Sequence, residues 1–235
     1  MRPIAIWYHC KLSGTGIPSE DYAISVMYEQ MAALKSSGLA DAAAEIHAGV
    51  NGGNGDALTV CSLLPERIKQ TFVHAHGHAK RSELPTFSML LQWLPTHADW
   101  FVLYHHSKGV TQLEQGIPNV AHKDNHRRVM EGFVVWEWRR CVQDLERGYD
   151  AVGCNWVDPI VRPFGQDVRM FAGNFWWAKA SYLMTLPPMP DNAPNFDTPT
   201  RTLAERWIGS GRKRTMVLDY QFPHLSAWCQ QHIKP

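Results

Sequence analysis

The chain has 235 residues, 45% of them hydrophobic, and its 23 basic residues nearly balance 22 acidic ones, for a net charge of +1. That length suits one α/β domain with a substantial core, and the charge balance argues against a dedicated nucleic-acid binder, which carries a basic excess. The five cysteines form no C-x-x-C pair, which argues against a zinc ribbon or a disulfide framework. No apolar stretch approaches a membrane span and the run from Ile4 to Tyr8 is too short for a signal-peptide core, so a reduced, cytoplasmic setting is expected.

Residues 3–9 are apolar and loosely alternating, which predicts a first strand. A Gly/Ser/Pro loop over 13–18 follows. In residues 19–35, Tyr22, Val26, Met27, Met31 and Leu34 recur near the helical period, with Ser19 as N-cap and Gly38 as stop. Residues 44–50 read as a second strand ending in Asn51-Gly52-Gly53-Asn54-Gly55, residues 58–63 as a third, and 72–76 as another. Residues 86–94 are helical in period and end at Pro95. The continuous apolar run 100–104 predicts a strand buried on both faces. Residues 125–146 form the longest helical pattern, stopped by Gly148, and 149–156 read as a strand. A Pro/Gly loop over 158–166, a turn into a helix over 171–186, a Pro-rich irregular stretch over 187–199 and a short helix over 202–208 complete the chain.

Alternation of strands and helices implies a mostly parallel sheet flanked by crossover helices in a single domain. Ligands of such sheets sit outside the carboxyl ends of the strands, so polar residues just after each strand are the candidates for chemistry. Three clusters qualify. His9-Cys10-Lys11 precedes the loop Ser13-Gly14-Thr15-Gly16, a position where backbone N–H groups can meet a phosphate, although neither a P-loop nor G-x-G-x-x-G spacing is present. His105-His106-Ser107-Lys108-Gly109 ends the buried strand. Its polar groups need partners there, its two imidazoles point to opposite faces if the strand continues, and Lys108 can hold a diphosphate as a point charge. In Phe171-Ala172-Gly173-Asn174-Phe175-Trp176-Trp177, Gly173-Asn174 allows a tight turn and supplies an amide that can read hydroxyls, while one of the two Trp rings is expected to face a pocket. Downstream, Glu205-Arg206 sets an acid beside a base.

Residues 103–109 (L-Y-H-H-S-K-G), 173–178 (G-N-F-W-W-A) with Tyr182-Leu183 and Leu186-Pro187, and 204–209 (A-E-R-W-I-G) resemble bacterial and phage glycosyltransferase-like proteins. The pattern of that group is H-[ST]-K-G, then G-N-F-W-W, then A-E-x-W-I-G, and the start Tyr8-His9-x-Lys11-Leu12-Ser13-Gly14 also fits. The resemblance implies a GT-A-like fold: a Rossmann-like half, residues 1–110, for a nucleotide-sugar donor, and a half for the acceptor, residues 111–235. The acceptor would be a glycan or another hydroxyl-bearing molecule. The resemblance further implies Glu205 as general base and Lys108 as counter-charge to the diphosphate. It puts His9 or Lys11 near base or ribose, and Asn174 with Trp176 or Trp177 at the sugar or acceptor. Such folds chelate a divalent cation, Mn2+ or Mg2+, through an Asp-x-Asp at the central strand end. Here that place carries His105-His106-Ser107, so metal dependence is open: Lys108 replaces the metal, or a histidine ligates it with others.

Two other readings stand beside this one. His74, His76 and His78 alternate after a strand with the spacing of metal ligands, as in a metal-dependent hydrolase, although Asp-His does not follow His76. The ten tryptophans would also serve a non-catalytic carbohydrate-binding module. Nucleic acid remains a partner only if the acceptor is a modified DNA base, with Arg212-Lys213-Arg214 on phosphate.

Overall fold

The computed structural model describes residues 2–12, 20–66, 68–76, 83–107, 120–157, 169–188, 203–211 and 217–220, the last stretch and 120–124 in backbone only. In chain order the elements are β1 (Ile4–Lys11), α1 (Glu20–Ser36), α2 (Leu39–Ala42), β2 (Glu45–Asn51), α3 (Asn54–Leu63), β3 (Gln70–Ala75), α4 (Leu84–Trp93) and a 3-10 turn (Leu94–Thr96). They continue with β4 (Phe101–His106), α5 (Val120–Glu131), a π-helical segment (Gly132–Trp136), α6 (Trp138–Glu146) and β5 (Ala151–Cys154). The last are β6 (Trp156–Val157), β7 (Met170–Phe171), β8 (Trp176–Lys179), α7 (Ala180–Leu183), α8 (Leu203–Trp207) and β9 (Val217–Tyr220).

Among the described residues seven strands form one sheet in the order β3-β2-β1-β4-β8-β5-β9. The pairs β2–β3, β1–β2, β1–β4 and β5–β9 are parallel, whereas β8 runs antiparallel to both β4 and β5. The expectation of a mostly parallel, helix-flanked α/β sheet is met. β1 lies between β2 and the central strand β4, and strand alternation splits its side chains between two cores. Ile4, Ile6, Tyr8 and Cys10 join the core under α1, α2, α3, the π-helical segment and α6. Ala5 and Trp7 join the core under α4, α7 and α8.

Three segments depart from the sequence reading. Residues 58–63 are the second half of α3 rather than a strand. β2 and β3 are parallel neighbours, and a parallel pair needs a crossover that a strand cannot supply. The helix starts where Asp56 Oδ2 accepts the Gly53 N–H at 2.7 Å, and Leu58, part of the apolar run, points to solvent.

Residues 171–186 contain β8, not a turn leading straight into a helix, and the helix that follows spans only Ala180–Leu183. Gly173 (φ 106) and Asn174 (φ 58) are both left-handed, a conformation open to glycine and tolerated by asparagine. They turn the chain so that Trp176–Lys179 slots between β4 and β5. The pattern over 125–146 is helical at both ends but widens into the π-helical turn. There Val134 O accepts the Trp177 indole N–H at 2.7 Å.

α4 lies close against β2, and this approach depends on Gly49. A Cβ there would collide with the Thr86 hydroxyl and lie 2.8 Å from Thr86 Cβ and 2.9 Å from His76 Nε2. Gly49→Ala is therefore expected to destabilise the fold by about 1–3 kcal/mol, the usual range for overpacking. Urea unfolding of the two proteins measures it, and equal midpoints would contradict this packing.

Candidate functional site at the ends of β1 and β4

The sheet order reverses at β1. The chain winds from β1 through β2 to β3 on one side and resumes at β4 on the other. In open α/β sheets this switch point opens a crevice at the carboxyl ends of the two strands, where ligands bind. Here those ends carry His9, Lys11, His105, His106 and Ser107. Ser107 extends the pairing by one residue: its N–H donates to His9 O at 2.9 Å, and its Oγ accepts the Lys11 N–H at 3.3 Å.

On the α4 side a buried polar network fills the crevice wall. Asn51 Nδ2 lies 3.4 Å from His9 Nε2, His9 Nδ1 lies 2.8 Å from Thr86 Oγ1, and Thr86 Oγ1 lies 3.3 Å from His76 Nε2. These contacts link Asn51, His9, Thr86 and His76 into one continuous polar chain, with the His9 ring between an amide and a hydroxyl. Beside this chain lies Glu83, the residue that caps α4. Its Oε2 accepts the Tyr104 hydroxyl at 2.8 Å and the Asn174 amide at 2.6 Å. Asn174 Oδ1 accepts the Trp176 indole N–H at 2.8 Å, and His106 Nε2–H donates to Gly173 O at 2.9 Å. Burial alone would raise the Glu83 pKa. The neighbouring His106 and His9, with the donors from Tyr104 and Asn174, instead hold it below the ordinary carboxylate value.

The opposite face holds a second buried network, centred on Gln30 of α1. Gln30 Oε1 accepts the Tyr8 hydroxyl at 2.7 Å, and its amide donates to Glu131 Oε1 at 2.6 Å and to His106 O at 3.2 Å. Arg127, 1% exposed, bridges Glu131 at 3.0 Å and Glu29 at 2.8 Å. Burial raises the pKa of Glu131 against the pull of Arg127. His105 also points to this side, between Tyr8 and Phe175, and among the described residues neither of its ring nitrogens has a hydrogen-bond partner.

The structure thus brings His9, His106, Gly173 and Asn174 to one wall of the crevice and sends His105 into the core behind β4. Lys11 and Ser107 stand at its rim. Trp176 and Trp177 are corrected: both rings are fully buried, on opposite faces of β8, so neither is offered to a ligand. The Asn174 side chain is corrected likewise, since its amide is taken up by Glu83 and Trp176 rather than left to read a sugar. Glu205 is partly exposed on α8 and makes no hydrogen bond or ion pair among the described residues. Lys108, Gly109, His78 and Arg212 to Arg214 lie outside the described residues.

Among the described residues the strand end groups no Asp-x-Asp-type set of cation ligands. His105 and His106 diverge, and Ser107 Oγ is bound to backbone. Among the described residues no three His, Cys, Asp or Glu side chains are grouped to hold a metal ion. Sequence reasoning missed Glu83. The available signal was an acid directly before Leu84-Pro85, a helix-start pattern, but nothing local shows that the carboxylate turns inward.

A family model described as Domain of unknown function (DUF8361) matches residues 12–228. The chain belongs to the DUF8361 family. No curated protein matches it. The matched span of this DUF8361 chain takes in both networks except for the β1 residues Tyr8 and His9. Among the described residues no helix is long and apolar enough to cross a membrane.

The buried histidines of this DUF8361 chain set its acid sensitivity. Burial drives the pKa of His9 and of His105 down to about 3. An unfolded imidazole takes up a proton near pH 6.5, so between these values the unfolded chain binds protons that the folded one refuses. Stability therefore falls as pH drops from about 6.5 towards 3, each ring contributing about 2 kcal/mol of loss at pH 5. His105→Phe removes one such ring without orphaning a partner. Denaturant unfolding at pH 7 and pH 5 is expected to show a pH-dependent loss smaller by about 2 kcal/mol in the variant, and an unchanged loss would contradict the assignment.

Proposed function

We propose that the chain is a glycosyltransferase with a GT-A-type fold, moving a sugar from a nucleotide-sugar donor to an acceptor hydroxyl. The observation that carries this reading is the meeting of two of its motif segments at the switch point. The H-S-K-G strand end and the G-N-F-W-W turn are 67 residues apart, yet His106 bonds Gly173 O at 2.9 Å, and Glu83 clamps Asn174 to the same strand. The sheet is compatible with the reading: it is mostly parallel and helix-flanked, and its order reverses between β1 and β4, where open α/β sheets bind ligands.

In the proposed reaction the acceptor oxygen forms a bond to the anomeric carbon as the bond from that carbon to the diphosphate oxygen breaks. The acceptor proton passes to a carboxylate, for which Glu205 is the candidate base. The bonding electrons leave with the diphosphate, whose charge needs a cation. Lys108, next in sequence to Ser107, is the residue for that role. His9 and Lys11 then lie towards the base or ribose, and Gly173 and Asn174 shape the sugar end through backbone and Glu83. No step is routed through a metal.

Thermal shift with UDP-, GDP-, TDP- and CMP-sugars, with and without manganese, tests the reading, because a ligand of the native state raises the melting temperature. A rise with one nucleotide class, retained in EDTA, is expected; no rise with any donor under either condition would contradict it. With the donor known, Glu205→Gln should lower kcat by about a hundredfold or more while leaving donor binding intact. Unchanged turnover would remove Glu205 from the role of base.

A further inference from the structure

Glu83 is a buried charge to which the proposed reaction gives no direct contact with substrate. It is only 9% exposed. One oxygen, Oε2, is anchored by Tyr104 and Asn174, while among the described residues Oε1 accepts no hydrogen bond and the carboxylate has no Lys or Arg partner. Two imidazoles stand near it, those of His106 and His9, one at the end of each strand flanking the switch point. Among the described residues neither ring is hydrogen-bonded to the carboxylate: His106 donates to Gly173 O, and His9 is paired with Thr86 and Asn51. A carboxylate in this state accepts hydrogen bonds and gives none. What completes it must bring a donor, and what brings a second negative charge meets repulsion that a water-poor wall screens weakly.

Resting on the nucleotide-sugar reading, we infer that Glu83 selects the transferred sugar, accepting a hydroxyl of a neutral sugar through Oε1 and rejecting sugars that carry a carboxylate. The selectivity is electrostatic and sits on the sugar, so the nucleotide contributes equally to both members of a matched pair. Glu83→Gln isolates the charge. Its carbonyl oxygen can keep the Tyr104 and Asn174 donors, and its amide takes the place of the free oxygen.

Titration calorimetry would first measure UDP, GDP, TDP and CMP alone. It would then compare UDP-glucose with UDP-glucuronate, GDP-mannose with GDP-mannuronate, TDP-glucose with TDP-glucuronate, and CMP-sialate with CMP. The neutral conjugate of the nucleotide that binds is expected to bind at least about tenfold more tightly than its carboxylate counterpart, as a weakly screened like-charge contact requires. In Glu83→Gln the gap should close to about threefold or less. CMP-sialate should bind no better than CMP. Equal affinity for the uronate in the wild type, tighter binding of CMP-sialate than of CMP, or a gap that survives in a folded Glu83→Gln would overturn the inference. If the variant does not fold, the wild-type comparison decides alone: discrimination supports the inference and its absence overturns it. Binding of a nucleotide without discrimination sinks only the role of Glu83, whereas no binding of any nucleotide or conjugate sinks the transferase reading itself.

Discussion

A carboxylate taken out of water must be held by donors or it gives up its charge. Glu83 is held by a phenol on β4 and an amide on the turn before β8, and both partners come from segments far away in sequence. The arrangement therefore joins α4, the central strand and the antiparallel strand at one point. Asn174 can present its amide there only because the backbone turns through two left-handed residues, and Trp176 completes the asparagine's acceptor side. Remove the acceptor oxygen or the turn, and the wall of the crevice loses its shape as well as its polarity.

The far side of β4 is held by a network of a different kind. Arg127 is paired with two carboxylates, and Gln30 connects that pair to Tyr8 and to the carbonyl of His106. Buried pairs of this sort add little net stability over apolar packing, but breaking one partner leaves a stranded charge at a cost of about 3–5 kcal/mol. Their effect here is geometric. α1 fixes the end of β4 from behind while α4 fixes it from the front, so the strand end that enters the crevice is held from both faces.

Much of this architecture was legible in the residues. The buried run before His105 marks a central strand, and the alternation of its two imidazoles between faces follows from strand geometry alone. The segment at residues 58–63 reads as a strand because a short apolar run has no period of its own. The parallel pairing of β2 with β3, a long-range fact, decides for a helix. β8 was hidden for a related reason: Trp176-Trp177 looks like a pocket lining until two cores on opposite faces of one strand claim a ring each. Glu83 left the weakest trace, since an acid ahead of a proline-bearing helix start is usually a solvated residue. Only the tertiary approach of Tyr104 and Asn174 turns it into a buried charge.

Histidine resonances offer the most direct test that the crevice at β1 and β4 is where a ligand binds. His9 and His106 stand at the carboxyl end of the sheet, whereas His97 lies ahead of β4, against Trp93 and Trp100. In a protein labelled with nitrogen-15 at its histidines, titration with a nucleotide sugar that stabilises the fold should shift the ring signals of His9 and His106 and leave those of His97 in place. Shifts at His97 with His9 and His106 unmoved would place the ligand elsewhere and contradict the account.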